Sequence, residues 1–262
     1  YEKQKEALEF LQAGENTLLI LATGRGKSAV FQSMAARLAL LQNKATIIVY
    51  PLRSLVNDQY HRLCEKMSLL GVQVSAVNGS LSRPEREQFF ADLQQGKVEI
   101  ILTTPEFLAF HIEKFKAIKD KIGLLVVDEA HHLAKSKRKG YRLLGKNWAQ
   151  LGNPLVLAVT ATANNETAQH ISDVLCCKKM VVENYVRKNL QVVDQRTEKD
   201  KLKYLLELVA SGERIVIYVN SRKQAVDIAV KLRSLCNVNA DKIAFYHAGL
   251  SADWRLKVEQ WF

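Results

Sequence analysis

The chain contains no apolar run approaching the ~18 residues that cross a bilayer, and its first residues, Tyr1-Glu2-Lys3-Gln4-Lys5, lack the apolar stretch of a secretory signal. A starting methionine is missing too, from which we expect a piece excised from a longer polypeptide. Cysteine is scarce: Cys64, Cys176, Cys177 and Cys236 form no C-x-x-C pair and have no histidine at zinc-ligand spacing. That pattern argues against a zinc ribbon and leaves reduced thiols with structural roles, the adjacent pair Cys176-Cys177 included. Neither an internal repeat nor a low-complexity segment interrupts the chain. A soluble globular protein is the class that remains.

What is present is apolar residue and positive charge. At 262 residues the chain is long enough for two domains, and a hydrophobic share of 48% supplies a core for each. A formal charge of +11 and a pI near 9.4 favour a polyanionic partner, because lysine and arginine release condensed counterions when they meet a phosphate backbone. Nucleic acid is the first expectation, and solubility charge spread over helix faces is the plainer alternative. The densest basic run is Lys135-Ser136-Lys137-Arg138-Lys139, followed by Arg142 and Lys146.

The most specific signal is Leu21-Ala22-Thr23-Gly24-Arg25-Gly26-Lys27-Ser28. Thr17 to Ala22 reads as a buried strand and Lys27 to Leu41 as a helix, so a glycine-containing turn opens that helix. Backbone N–H groups there point inward and the helix N-terminus adds partial positive charge; a lysine reaches the β- and γ-phosphates, and a serine hydroxyl suits magnesium. A nucleoside triphosphate is the expected ligand. The strict pattern G-x-x-x-x-G-K-[ST] wants glycine at Leu21, so an ordinary glycine turn competes with this reading until a second site is found.

That second site is Leu124-Leu125-Val126-Val127-Asp128-Glu129-Ala130-His131, an apolar strand ending in two acids. In a parallel sheet the carboxyl ends of the strands line the ligand crevice, so these acids and the phosphate loop are expected on one edge. Asp128 would hold magnesium and Glu129 would polarise the water attacking the γ-phosphate; a solvated strand end is the ordinary alternative.

Apolar runs at Ala45 to Tyr50, Val72 to Val77, Val98 to Leu102, Ile122 to Asp128 and Pro154 to Thr160 alternate with helical spacing at Leu52 to Met67, Pro84 to Gln95 and Asn164 to Leu175. The implied fold is α/β, a parallel sheet covered by helices on both faces. Around Lys178 to Arg196 the pattern weakens, and it restarts with a helix from Glu198 to Ala210, a strand Arg214 to Val219, a helix Arg222 to Leu235 and a strand Lys242 to Tyr246. We therefore expect domains at 1–190 and 191–262, the second too small for a complete sheet and so truncated.

With these motifs in hand, the chain resembles the superfamily-two helicases, and within them the RecQ branch. The spelling Thr23-Gly24-Arg25-Gly26-Lys27-Ser28 is similar to that family's loop, which accounts for Leu21. Gln4 resembles its adenine-reading glutamine; Tyr50-Pro51-Leu52-Arg53-Ser54-Leu55, with Asp58-Gln59, its motif Ia; Thr103-Thr104-Pro105-Glu106 its strand-gripping segment; and Ala158-Val159-Thr160-Ala161-Thr162-Ala163 its motif III. Val216 to Arg222 resembles motif IV, and Tyr246-His247-Ala248-Gly249-Leu250 with Arg255 resembles the segment that follows, in a form that favours RecQ over the RNA-acting DEAD-box proteins.

The resemblance implies two RecA-like domains of a P-loop NTPase using ATP and Mg2+, with ATP between them and movement along single-stranded DNA. Catalysis would fall to Lys27, Asp128, Glu129 and His131, the nucleotide to Gln4, Thr23, Gly24, Arg25, Gly26, Lys27 and Ser28, and the metal to Ser28 and Asp128. DNA would meet Pro51, Arg53, Ser54, Thr103, Thr104, Pro105, Lys137, Arg138, Ser221 and Arg222, while Thr160 and Thr162 would couple hydrolysis to DNA. His131 would link the acidic end to motif III, a buried structural histidine being the alternative. The family's aromatic-rich loop after the acidic box is replaced here by the basic run, leaving Tyr141 and Trp148 as stacking candidates or plain core residues. Motifs V and VI, with the arginine finger, are expected beyond Phe262, so this piece should hydrolyse ATP poorly, a finger contributing ~10³ or more in rate.

The function expected is thus unwinding of DNA, duplex junctions included, in repair or recombination, in the cytoplasm around a bacterial nucleoid or in a nucleus. The alternatives are a nucleotide-controlled DNA-binding module that guides a fused nuclease or other partner, and an RNA helicase.

Overall fold

Short runs of β-branched and leucine residues make strands only where they find neighbours, and the computed structural model shows where they do. It describes residues 1–183, 189–236 and 240–262. The chain divides into two compact units, Tyr1–Arg187 and Lys188–Phe262. Part of the expected boundary, 184–188, lies outside the described residues.

In the first unit, α1 (Glu2–Gln12) precedes β1 (Thr17–Ile20), followed by α2 (Lys27–Gln42), β2 (Ala45–Val49), α3 (Arg53–Ser68), β3 (Val74–Val77), α4 (Arg83–Gln94) and β4 (Ile100–Thr103). Next come α5 (Pro105–Phe110), α6 (Ile112–Lys116), β5 (Ile122–Val127), α7 (His132–Lys135), α8 (Lys139–Arg142), α9 (Leu144–Gln150), β6 (Leu155–Thr160), α10 (Asn165–Leu175) and β7 (Lys179–Val182). The strands form one parallel sheet in the order β3-β4-β2-β5-β6-β1-β7. This is a RecA-like α/β domain.

The strand period of two divides the core between the faces. Leu19, Ile48, Ile100, Leu102, Leu124, Val126, Leu157 and Val159 pack with Ala7, Leu11, Val30, Phe31, Val56 and Leu63 of α1, α2 and α3. Leu18, Ile47, Val49, Ile101, Leu125, Val127, Val156 and Ala158 pack with Phe89, Phe107, Phe115, Leu144 and Ile171 on the other face. The chain leaves β1 along the first face and leaves β6 along the second. Ligands of open α/β sheets sit outside the strand carboxyl ends at such a divergence.

β7 was not expected, because the pattern fades after Lys178. It is a four-residue edge strand beside β1 in which Val181 is buried while Met180 and Val182 are exposed, too short for its alternation to register in the sequence. Asn16 ties this corner together: its amide accepts from Val156 N–H (3.0 Å) and donates to the Leu175 carbonyl (3.2 Å).

The second unit contains α11 (Lys201–Ala210), α12 (Arg222–Leu235) and α13 (Ala252–Trp261). The strands expected at Arg214 to Val219 and Lys242 to Tyr246 are absent among the described residues. A strand persists by exchanging ladder hydrogen bonds, and neither run has a ladder partner here; Tyr218 is 91% exposed.

Candidate functional site

The phosphate loop turns on two glycines in the left-handed region, Gly24 (φ 81°) and Gly26 (φ 73°), the latter capping α2. A side chain at Gly26 would collide with the Gln4 amide as well as being strained. Gln4 donates to the carbonyls of Arg25 (2.7 Å) and Gly26 (3.2 Å), so α1 braces the loop from below. Lys27 curls back inside the loop, its ammonium donating to the carbonyls of Leu21 (2.9 Å) and Ala22 (3.4 Å). Arg25 makes a two-pronged ion pair with Glu183 just past β7 (2.9 and 2.7 Å) and lies over the Tyr1 ring. Thr23 and Ser28 are exposed on the loop and at the start of α2.

The acids stand two ladders away, since β6 lies between β1 and β5, which separates the strand axes by about 10 Å. Asp128 leaves β5 with its N–H on the Val49 carbonyl (2.9 Å) and its carboxylate accepting from Glu129 N–H (2.9 Å). Glu129 adopts φ 48°, a conformation uncommon outside glycine, and Ala130 rejoins the sheet through the Val159 carbonyl (2.9 Å). Burial pushes the Asp128 carboxyl up to about 6; the Glu129 carboxylate adds to the rise, while the Glu129 N–H and the Lys27 ammonium oppose it. Lys27 and Asp128 therefore feel each other across one sheet edge.

Thr160, at the end of β6, fills the gap between them. Its carbonyl accepts from Leu21 N–H (3.2 Å) and its hydroxyl donates to the Thr162 carbonyl (3.2 Å). With that proton committed, the 3.0 Å contact from His131 Nδ1 is a donation by the ring, whose same nitrogen lies 3.2 Å from the Glu129 carboxylate. His131 thus joins the acidic turn to the end of β6.

The expected strand-binding residues are more mixed. Arg53 and Ser54 are exposed at the start of α3, and the Arg53 guanidinium lies over Gly79 so closely that an added Cβ would come within 2.7 Å of it. Pro51, Thr103, Thr104 and Pro105 are buried; the Thr104 hydroxyl caps α5 by accepting from Phe107 N–H (3.3 Å). Lys137 is exposed. Arg138 is turned inward: it grips Glu106 with two bonds (2.8 and 2.6 Å), donates to the Pro51 carbonyl (2.6 Å) and stacks over Tyr141. In the second unit Ser221 caps α12 by accepting from Gln224 N–H (3.2 Å), and Arg222 is exposed beside Gly249.

Of the two readings of Tyr141 and Trp148, the structure gives the core one. Tyr141 is 1% exposed, pressed inward because Gly140 lets α8 meet the backbone of Pro105 and Glu106. Trp148 packs on the core and donates its indole N–H to the Pro154 carbonyl (2.8 Å). The pairing of Glu106, read as part of the strand-gripping segment, with Arg138 and of Glu183 with Arg25 was not expected; nothing local marks a pairing across such separations. All four cysteines are free, and burial pushes the Cys177 thiol up to about 12, which removes thiolate chemistry there at neutral pH.

Magnesium fits the donor set. No group of three His, Cys, Asp or Glu side chains gathers among the described residues, and magnesium is commonly held by one or two protein oxygens together with substrate phosphates. Ser28 and Asp128 would be those protein oxygens.

A phosphate-type loop and an acidic turn share the carboxyl edge of a RecA-like sheet. The chain belongs to the DEAD/DEAH box helicase family, whose model matches residues 1–171. Among curated proteins it is 31% identical over 269 residues to the probable ATP-dependent DNA helicase RecS of Bacillus subtilis, covering 99% of this chain and 51% of that one. It is 28% identical over 266 residues to the ATP-dependent DNA helicase RecQ of Haemophilus influenzae, covering 99% and 41%. The chain thus spans about half, or less, of the length of these relatives. The solved structure of the DUF1998 helicase MrfA bound to DNA superposes with a TM-score of 0.75 at 16% identity, over 99% of this chain and 40% of that one, a likeness of fold.

Proposed function

We propose that this chain carries the ATP-hydrolysing core of a RecQ-like DNA helicase that moves on single-stranded DNA and separates duplexes in repair or recombination. The observation that carries the reading is the placement of the phosphate loop after β1 and the Asp128-Glu129 turn after β5 at one carboxyl edge of the parallel sheet, with Thr160 at the end of β6 between them accepting from Leu21 N–H and contacting His131.

The roles follow from placement. Lys27 would exchange its two loop carbonyls for the β- and γ-phosphates, which a compact ammonium neutralises well. Ser28 and Asp128 would hold magnesium, which when bound spreads the charge of the phosphate oxygens. Glu129, in its left-handed turn, would orient the attacking water. His131, sharing one N–H between Glu129 and Thr160, would report the state of that carboxylate to motif III. Gln4 would read adenine while bracing the loop. Arg53, Ser54 and Lys137 would take the strand's phosphates, giving binding that is independent of sequence and weakened by salt. Arg138 would act by positioning, since it ties the backbone at Pro51 to Glu106.

Strand displacement by the intact polypeptide tests the proposal. ATP-driven release of a labelled strand supports a helicase; nucleotide-dependent DNA binding without release would support a DNA-binding module instead. Hydrolysis stimulated more by RNA than by matched DNA would move the assignment to an RNA helicase.

A further inference from the structure

A second exposed feature lies beyond the edge just described. Among the described residues of the first unit, Tyr1 and Phe110 are the large aromatic side chains left exposed, and Tyr1 lies under the Arg25 guanidinium. Phe110 is 83% exposed at the last position of α5, a helix with Phe107 and Leu108 buried beneath it. Water contact over a whole phenyl ring is unfavourable by about 2 kcal/mol relative to burial, and nothing in the described packing requires the ring to be there.

Its surroundings are aromatic and cationic. The Phe110 ring stands edge-on to His111, with centroids 4.8 Å apart and planes at 82°. His111 in turn packs on Phe107 (4.5 Å) and Phe90 (5.4 Å), and the Lys114 ammonium sits 4.7 Å over the Phe90 ring. Burial, with Arg86 and Lys114 nearby, holds the His111 imidazole below its ordinary pKa. The acids of the neighbourhood each have another cation: Glu87 pairs with Arg83, Glu113 with Lys116 and Glu106 with Arg138. A flat apolar face flanked by positive charge is complementary to a single strand, whose bases stack while its phosphates meet lysine and arginine.

We propose that Phe110, with Arg86 and Lys114, forms an accessory seat for single-stranded nucleic acid, stacking a base that lies beyond the stretch held at Arg53 and Ser54. The inference rests on the strand-binding reading above and extends it. Phe110 closes the helix that Pro105 opens, which places the ring on the same element as the expected strand-gripping segment. The contact is with base face and phosphate, and it carries no sequence preference.

The test is fluorescence anisotropy of the 262-residue chain with labelled oligothymidylates of about 6 and about 16 nucleotides. Phe110→Ala is expected to weaken binding of the longer oligonucleotide about tenfold and to leave the shorter one unchanged. Phe110→Trp should restore the affinity and Phe110→Leu should not, because leucine keeps apolarity without a stacking face. Arg53→Ala should weaken both lengths. If Phe110→Ala binds both lengths like the parent while Arg53→Ala weakens both, the accessory seat is refuted and the proposed function stands. If leucine restores binding as well as tryptophan, the patch is a general apolar contact and the stacking proposal is likewise refuted. Loss of neither length in Arg53→Ala would count against the strand-binding reading itself.

Discussion

Replacing Asp128 by asparagine should stabilise the nucleotide-free protein while removing its magnesium-dependent chemistry. The Asp128 carboxyl rises from 3.8 to about 6 because burial disfavours its charge. An acid whose folded pKa lies above its unfolded value binds protons more tightly in the native state. Stability from this group is therefore fully present below about pH 4 and falls as pH rises through about 6, after which the native state carries a poorly solvated carboxylate. A displacement of about two units corresponds to ~3 kcal/mol; water reaching this half-buried site reduces that to about 2 kcal/mol. Asparagine has the same shape, keeps an oxygen that accepts from Glu129 N–H, and carries no charge. Urea unfolding of parent and Asp128→Asn should differ by about 2 kcal/mol in favour of the variant at about pH 8, with the gap closing towards about pH 4. A variant that is less stable than the parent by the same amount at every pH would refute the reasoning.

Other expectations follow from the same geometry. Lys27→Ala in the intact polypeptide should lower DNA-stimulated ATP hydrolysis by ~10²-fold or more, read as phosphate release, and turnover at the parent's rate would contradict the loop's role. Gly26→Ala should cost roughly 1–2 kcal/mol in thermal unfolding, because the backbone is left-handed and the Gln4 amide occupies the space; pairing it with Gln4→Ala should recover part of the loss. Arg138→Lys should fail to restore the DNA stimulation lost in Arg138→Ala, since one ammonium cannot reproduce the fork on Glu106 and the bond to the Pro51 carbonyl. The basal ATPase should change far less than the DNA-stimulated rate. Tyr141→Phe should be within about 1 kcal/mol of the parent in stability and unchanged in DNA affinity, because the ring is buried and its hydroxyl has no hydrogen-bond partner among the described residues.

The sheet of the first unit was legible because its central strands are apolar runs and the stretches that form α3, α4 and α10 between them carry helical spacing. The helix starting at Lys27 and the strand starting at Ile122 begin where the pattern places them. The convergence of phosphate loop and acidic turn follows from parallelism alone, since every parallel strand delivers its carboxyl end to the same edge. Pairings set by the sheet order were not legible. Arg138 looked like a phosphate ligand in a basic run, yet bringing α5 and α8 together places Glu106 within 2.6 Å of it. Tyr141 looked like a stacking ring until the absence of a side chain at Gly140 drew α8 against the backbone of α5. β7 escaped because one buried residue, Val181, carries no period, and the strands expected in the second unit had the right composition without ladder partners among the described residues.

In the proposed function the Lys27 ammonium and the Asp128 carboxylate serve one triphosphate and its metal. Titration of a fluorescent ATP analogue against parent, Lys27→Ala and Asp128→Asn, each with and without magnesium, tests this most directly. Binding should be lost in Lys27→Ala under both conditions, and Asp128→Asn should lose only the increment that magnesium adds. Parent-like, magnesium-enhanced binding in both variants would contradict it.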